Sequence, residues 1–414
     1  MRTEDDIRAA FGALARQAED ADAVPAAIQD ELARVSAGRR RVRLRHRRSL
    51  LSAVAAAAVI AIAAIAFAVA GHQAPPPPPP RPASGGGPVL DHGVPRYRLE
   101  LAGKPEVIVG GQVRFGVPDA VVKQTLTGAK LAVARPPAPY VSFAAASGAG
   151  DDRTFVLAAW RDQPGSAGGS IMKLYVARFS PALGTLKLWP LPIPAFTDRT
   201  VLEDFALSPS GTELAVAVRT GLNDSVFQVR LYSLDAQLLR IWQGRGSLIG
   251  GYLENNSISW SATGMLAITW IPKATQGVYL LNTHAPSGSL AAESRLVVPA
   301  GSKNDPFRIA GAGILSGNGR TLVVPMNMLE AEIPAIGGEF QKFSAVSGQE
   351  IGAFWPVHSA DESAIWSNTS GSVLVVYASL TSGPHSGSRA TVGVLRGNRF
   401  TPLPGVPTVV SVVF

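Results

Sequence analysis

The sequence predicts an all-β repeat domain carried behind a single membrane-spanning helix, and three observations predict it. A charge-free run of 22 residues (49–70) follows seven arginines, Arg39, Arg40, Arg41, Arg43, Arg45, Arg47 and Arg48. Beyond residue 95 helical periodicity nearly vanishes, and short β-branched and aromatic runs alternate with Gly, Ser, Asp, Asn and Pro turns. Within that region a strand–turn–strand unit recurs, with turn glycines Gly211, Gly264, Gly319 and Gly371 at intervals of 53, 55 and 52 residues.

Residues 1–48 read as two short helices ending in the arginine-rich run. Ile7, Phe11, Leu14 and Ala18 share one helical face behind an acidic first turn at Asp5 and Asp6. Pro25 suits the first turn of a second helix, with Ile28, Leu32 and Val35 on one side. Helices of this size bury too little to stand alone, so the segment is either a docking element for a cytoplasmic protein or a tail preceding the anchor.

A bilayer core needs roughly 20 apolar helical residues, and residues 49–71 supply them. Basic residues stay on the cytoplasmic side, which places the N-terminus inside, the C-terminal domain outside the cell, and the protein at the cell membrane as a single-pass signal-anchor. Signal peptides carry a shorter apolar region nearer the N-terminus, so cleavage is the rival reading. Residues 72–94 form a linker: Pro75 to Pro80 favour an extended polyproline spacer of roughly 3.1 Å per residue, and the glycines at 85–87 loosen it.

Residues 95–414 hold the repeat. FALSPSGTELAVAV (205–218), ISWSATGMLAITW (258–270), GILSGNGRTLVVPM (313–326) and AIWSNTSGSVLVVYA (364–378) each pair a strand, a Ser-containing turn ending in Gly, and an alternating apolar strand. A looser copy runs from 141 to 160, with Asp151 and Asp152 in its turn. Two further strands follow each hairpin, as at 226–234 and 237–243, and four antiparallel strands per fixed period describe a propeller blade. Strands at 96–101, 120–126 and 130–136 lack an innermost partner, which the C-terminal run 408–414 supplies. The expected domain is therefore a β-propeller closed by that strand, with a composite blade and blades at 137–191, 198–244, 250–298, 304–350 and 358–404. That makes six blades, or seven if 102–118 hides further strands.

The strings at 208–218 and 150–159, with RPPAPYVSFAA (135–145), resemble the WD-repeat or TolB-like propellers that follow one membrane span in proteins of GC-rich Gram-positive bacteria. The resemblance implies a fold and no chemistry. The GH and WD dipeptides of true WD repeats are missing, so no adaptor role is carried over.

Chemistry is sparse. The chain has no cysteine, which excludes disulfides, thiolate metal sites and Cys nucleophiles. Its net charge of +8 is spread thinly, which argues against a nucleic-acid partner. No nucleophile elbow, zinc-protease helix, phosphate loop or EF-hand string occurs. His284, His358 and His385 are too scattered to suggest a metal triad, and neither metal nor cofactor is expected. The carboxylate pairs Asp151–Asp152, Glu203–Asp204 and Asp361–Glu362 are the candidates for hydrolytic chemistry, although Asp is favoured in turns for backbone reasons. Trp260 and Trp366 stand in equivalent places ahead of their turns, as packing between blades requires, while Trp160, Trp189, Trp242, Trp270 and Trp355 mostly end strands. The expectation is a binding or sensing propeller, contacting membrane lipid through its span and a protein or cell-envelope ligand at its face. An extracytoplasmic hydrolase or lyase and an envelope scaffold are the alternatives.

Overall fold

The computed structural model describes residues 90–414 apart from 92, 103–115, 164–168, 222–225, 249–256, 273–275, 301–306, 310–311, 329–337, 355–360, 381–388 and 406–408. The helices expected within residues 1–48, the span expected at 49–71, the arginines before it and most of the expected linker lie outside the described residues. Among the described residues no helix is long and apolar enough to cross a membrane.

Six antiparallel sheets form the blades of a propeller. Blade I takes its inner strand, Val409–Val413, from the far end of the chain, followed by Tyr97–Ala102, Asp119–Gln124 and Lys130–Ala134. Blade II comprises Ser142–Gly148, Thr154–Asp162, Ser170–Ser180 and Thr185–Pro190. Blade III comprises Thr200–Leu207, Glu213–Thr220, Val226–Ser233 and Leu238–Arg245. In blade IV the inner strand Ile258–Trp260 precedes Met265–Ile271, Gly277–Asn282 and Ser294–Pro299. Blade V runs through Ile314–Leu315, Thr321–Met328, Gly338–Ser344 and Glu350–Phe354. Blade VI runs through Asp361–Ser367, Val373–Leu380, Arg389–Arg396 and Arg399–Pro402.

Each inner strand touches the next, and that of blade VI touches Val409–Val413, which in turn touches blade II. The ring therefore closes at six. Closure works because Val409–Val413 pairs antiparallel with Tyr97–Ala102, Val413 opposite Leu99, so neither chain end leaves an open sheet edge.

Period-two alternation explains the core. In Glu213–Thr220, Leu214, Val216 and Val218 pack into the seam with blade II, whereas Ala215 and Ala217 face the seam with blade IV. The small alanines leave room there for Trp242, Trp260 and Trp270. Blade I alternates likewise, with Val412 in the seam with blade VI and Val413 in the seam with blade II.

Two features were not expected from the sequence. Leu90–Asp91 pairs with Val94–Pro95, and Val94 is fully buried between blades VI and I. In blade IV the connection before the outer strand carries Gly288–Ser289, which pairs in parallel with blade III, and a single helical turn, α1 (Leu290–Glu293). Trp242 of blade III donates its indole N–H to Pro286 O at 2.8 Å, so this connection clasps the neighbouring blade.

Candidate functional site

The turn joining the first two strands of a blade builds the axial end of the propeller. Gly211, Gly264, Gly319 and Gly371 all sit in these turns with φ between 67 and 78°, a left-handed conformation that costs glycine little and other residues more. In blade II Asp152 holds that place with φ 54°. In blades III to VI a polar side chain at the head of the turn closes it by accepting backbone N–H groups. Ser208 accepts from Thr212 and Glu213, Ser316 from Thr321, and Asn368 from Ser372 and Val373. Ala149 cannot do this, and Asp151 takes over by accepting from Arg153 and Thr154 at 3.0 and 2.8 Å.

The turns also bond to one another. Gly150 N–H donates to Pro209 O, and Ala262 N–H to Gly317 O, each at 2.9 Å. Inside this rim is a cavity of about 270 Å³ to which all six blades contribute. Its aromatic walls are Phe205, Trp260, Trp366 and Phe414, completed by Ile258, Ile314 and Ile365. Among the described residues that line it, no side chain is charged and none is an imidazole.

Serines at the cavity wall are engaged in holding the ring. Ser147 Oγ accepts the Leu207 N–H at 2.9 Å. Two blades on, Ser259 Oγ accepts the Leu315 N–H and donates to Gly313 O, both at 2.9 Å. Blade III has Ala206 at the corresponding place, and the tie passes to Asp204, whose carboxylate accepts from Phe205 N–H at 2.7 Å and from Ile258 N–H of blade IV at 3.0 Å. Burial outweighs these donors and pushes the Asp204 carboxyl up to about 7. Its neighbour Glu203 is also raised by burial, while holding Arg219 Nε at 2.7 Å and the Leu248 N–H at 3.3 Å.

The carboxylate pairs considered for catalysis thus serve the backbone wherever their side chains are described. Asp152 accepts from Arg96 N–H and Tyr97 N–H at 2.9 and 3.3 Å, fastening blade II to the start of blade I, and burial raises it to about 6. The side chains of Asp361 and Glu362 lie outside the described residues, as do His358 and His385. His284 is exposed in the connection of blade IV. Among the described residues no group of acidic or His side chains could hold a metal ion.

Trp260 and Trp366 are not equivalent. The blade IV turn is one residue shorter after its capping Ser261: Ser261 N–H bonds to Met265 O, whereas Ser208 N–H reaches Glu213 O. Trp260 stands directly before its cap Ser261, as Leu207 does before Ser208, and faces the seam with blade III, while Trp366 stands two residues before its cap Asn368 and packs on Phe414 in the seam with blade I. Both still line the cavity. The ties made by Ser147, Ser259 and Asp204 escaped the sequence reading. The legible signals were a hydroxyl two residues ahead of the turn cap in blades II and IV, and an acidic pair inside an otherwise apolar inner strand.

No known family model matches the sequence, and no curated protein sequence is similar to it. Among solved structures, the chain is similar to a periplasmic gluconolactonase of Pseudomonas aeruginosa at 16% identity and TM-score 0.41, over 76% of this chain and 84% of the other. It is similar to a protein of unknown function from Bacteroides caccae at 8% identity and TM-score 0.40, over 77% and 98%. An oligogalacturonate lyase of Vibrio parahaemolyticus matches at 8% identity and TM-score 0.41, over 69% and 70%. Likeness at this level assigns neither family nor activity, and the six-bladed architecture rests on the strand pairing itself.

Proposed function

We propose that the chain is a membrane-anchored binding propeller of the cell envelope, whose axial cavity receives an uncharged, largely apolar part of its ligand. The observation that carries this reading is the cavity wall, built from six blades and free of charged or imidazole side chains among the described residues. Apolar enclosure with a few placed polar groups is the usual make-up of a ligand pocket. The nearby carboxylates Asp152, Glu203 and Asp204 are bonded to main-chain N–H groups, which favours binding over the hydrolase or lyase alternative. The run at 49–71 supplies the anchor and residues 1–48 the route for a signal to a cytoplasmic protein.

Thr369, exposed at the rim, gives a test that spares the core. A panel of uncharged aromatic and sugar fragments should quench emission of the full chain through Trp260 and Trp366. Thr369→Trp should block that quenching with the melting temperature unchanged. Turnover of a lactone or a uronate oligomer by the wild type that survives Thr369→Trp would overturn the reading.

A further inference from the structure

We infer that the short-turn face of blades VI, I and II is a docking surface for anionic lipid headgroups, an inference that rests on the membrane anchoring proposed above. In each blade the turns between strands one and two and between strands three and four lie on the same side, because consecutive strands run in opposite directions. The chain joins the propeller on that side: Val94 is wedged between blades VI and I, and Tyr97 opens the second strand of blade I. Whatever tethers residues 76–89 therefore reaches this sector first.

Cations gather where the chain arrives. Arg96 and Arg153 both lie over the ring of Tyr97, their guanidinium carbons 5.5 and 5.8 Å from its centroid. Arg396 is directly opposite Arg399 across the outer hairpin of blade VI. Lys130 is opposite Lys123, and Lys187 opposite Arg178, in the outer hairpins of blades I and II. Like charges facing one another across a ladder are unfavourable, and the arrangement recurs in three adjoining blades. Lys123 has a counter-charge in its ion pair with buried Glu100, and Arg178 and Arg396 also make contacts within the protein. Arg96, Lys130, Lys187 and Arg399 are exposed.

The outer hairpins adjoin: the turn at Gly128 of blade I abuts Pro404, which follows the outer strand of blade VI, and Gly184 of blade II lies against Leu131 of blade I. The sector's described carboxylates within three residues of these turns are Asp151, which caps its own turn, and Asp152, which is buried. Blades III to V differ: near their short turns Arg240, Arg295, Arg320 and Lys342 are balanced by Glu213, Asp235, Glu293 and Glu350. Basic residues beside an anionic leaflet attract it within about one Debye length, roughly 8 Å at physiological salt, and the guanidinium fork suits phosphate.

The absence of cysteine makes the test clean, since a single introduced thiol is unique. The full chain is reconstituted into vesicles with Leu183→Cys, on the short-turn face, carrying a fluorescent donor and the lipid carrying an acceptor. Ala195→Cys, in the connection from blade II to blade III on the opposite face, is the control. With 30% phosphatidylglycerol at low salt, energy transfer from position 183 should rise at least two-fold over pure phosphatidylcholine, and 0.5 M salt should abolish the rise. Position 195 should change little. Arg96→Glu, Lys130→Glu, Lys187→Glu and Arg399→Glu combined should remove the lipid dependence; the salt titration of the wild type asks the same question should that variant fail to fold. Equal transfer in both lipids from protein retained in the vesicles would overturn the docking and leave the anchor standing. Protein extracted by alkaline carbonate would instead overturn the anchor, and the inference with it.

Discussion

The seam between blades VI and I and the seam between blades III and IV both bury charge, and they hold it in different ways. At VI–I, Glu100 lies 2.6 Å from Arg98 Nε and 2.6 Å from Lys123 Nζ, so one carboxylate serves two cations. Arg98 donates further to Thr125 O and, 306 residues away in sequence, to Pro404 O at 2.7 Å. At III–IV, Asp204 meets backbone N–H groups and no cation among the described residues, and burial holds its carboxyl near neutrality. The first seam lies beside the junction of the two chain ends, where the inner strand of blade I is held to Tyr97–Ala102 by pairing alone, and a cation network with carbonyl acceptors adds to the hold. The second joins consecutive blades and tolerates a carboxylate that burial leaves only partly ionised near neutral pH.

Removing the closing strand should test the first seam most severely. Without residues 409–414, the edge of Tyr97–Ala102 is open and the buried Val412, Val413 and Phe414 are lost. Burying such side chains contributes roughly 1.5–3 kcal/mol each, so the expected loss exceeds about 5 kcal/mol and the thermal transition should drop by more than about 10 °C. A calorimetric trace matching the wild type would show that blade I closes without its inner strand. Arg98→Met comes next, at about 3–5 kcal/mol, because it leaves Glu100 buried with one cation fewer. Adding Glu100→Leu should recover part of that loss; a purely additive double variant in urea titrations would mean the pair is not coupled.

The second seam should announce itself through pH. Because the folded carboxyl of Asp204 is raised to about 7 from 3.8, the folded protein binds its proton more tightly than the unfolded chain between those values. Its contribution is therefore most favourable below pH 4 and declines as pH rises through 7. Asp152, raised to about 6, acts in the same direction. Stability measured in denaturant at pH 8 should lie about 2–4 kcal/mol below that at pH 5, and Asp204→Asn should flatten most of the slope. Stability that climbs from pH 5 to pH 8 would erase the distinction between the seams.

The blade count and strand placement were legible because each repeat must reverse its chain in a short turn, and the chemistry of that turn is narrow. A glycine with positive φ and a hydroxyl or amide cap mark Ser208 to Gly211, Ser261 to Gly264, Ser316 to Gly319 and Asn368 to Gly371. The cavity was not legible, because its wall takes two to four residues from each of six blades that no local pattern links. The role of Asp204 was hidden for the same reason: its partner Ile258 lies 54 residues away. Trp260 and Trp366 both precede their turns, but Trp260 stands four residues ahead of Gly264 and Trp366 five ahead of Gly371, and in an alternating strand one residue sends the side chain to the opposite seam.

The smallest expected effect separates what a turn costs by itself from what its place in a seam adds. Gly319 and Gly397 are both left-handed, with φ of 70 and 55°. A Cβ at Gly397 meets nothing within 4 Å, whereas one at Gly319 falls 2.6 Å from Thr263 Oγ1 and 3.2 Å from Ser261 Oγ of blade IV. Gly397→Ala should therefore cost about 1 kcal/mol, the backbone strain alone. Gly319→Ala should cost about 1 kcal/mol more, because the Thr263 hydroxyl, hydrogen-bonded to Ser261 at 2.8 Å, must move. In a double-mutant cycle Thr263→Ala should cancel that excess at Gly319 and leave Gly397→Ala unaffected. Equal costs at the two glycines would mean that the rim turns, despite their contact, contribute nothing to holding one blade against the next.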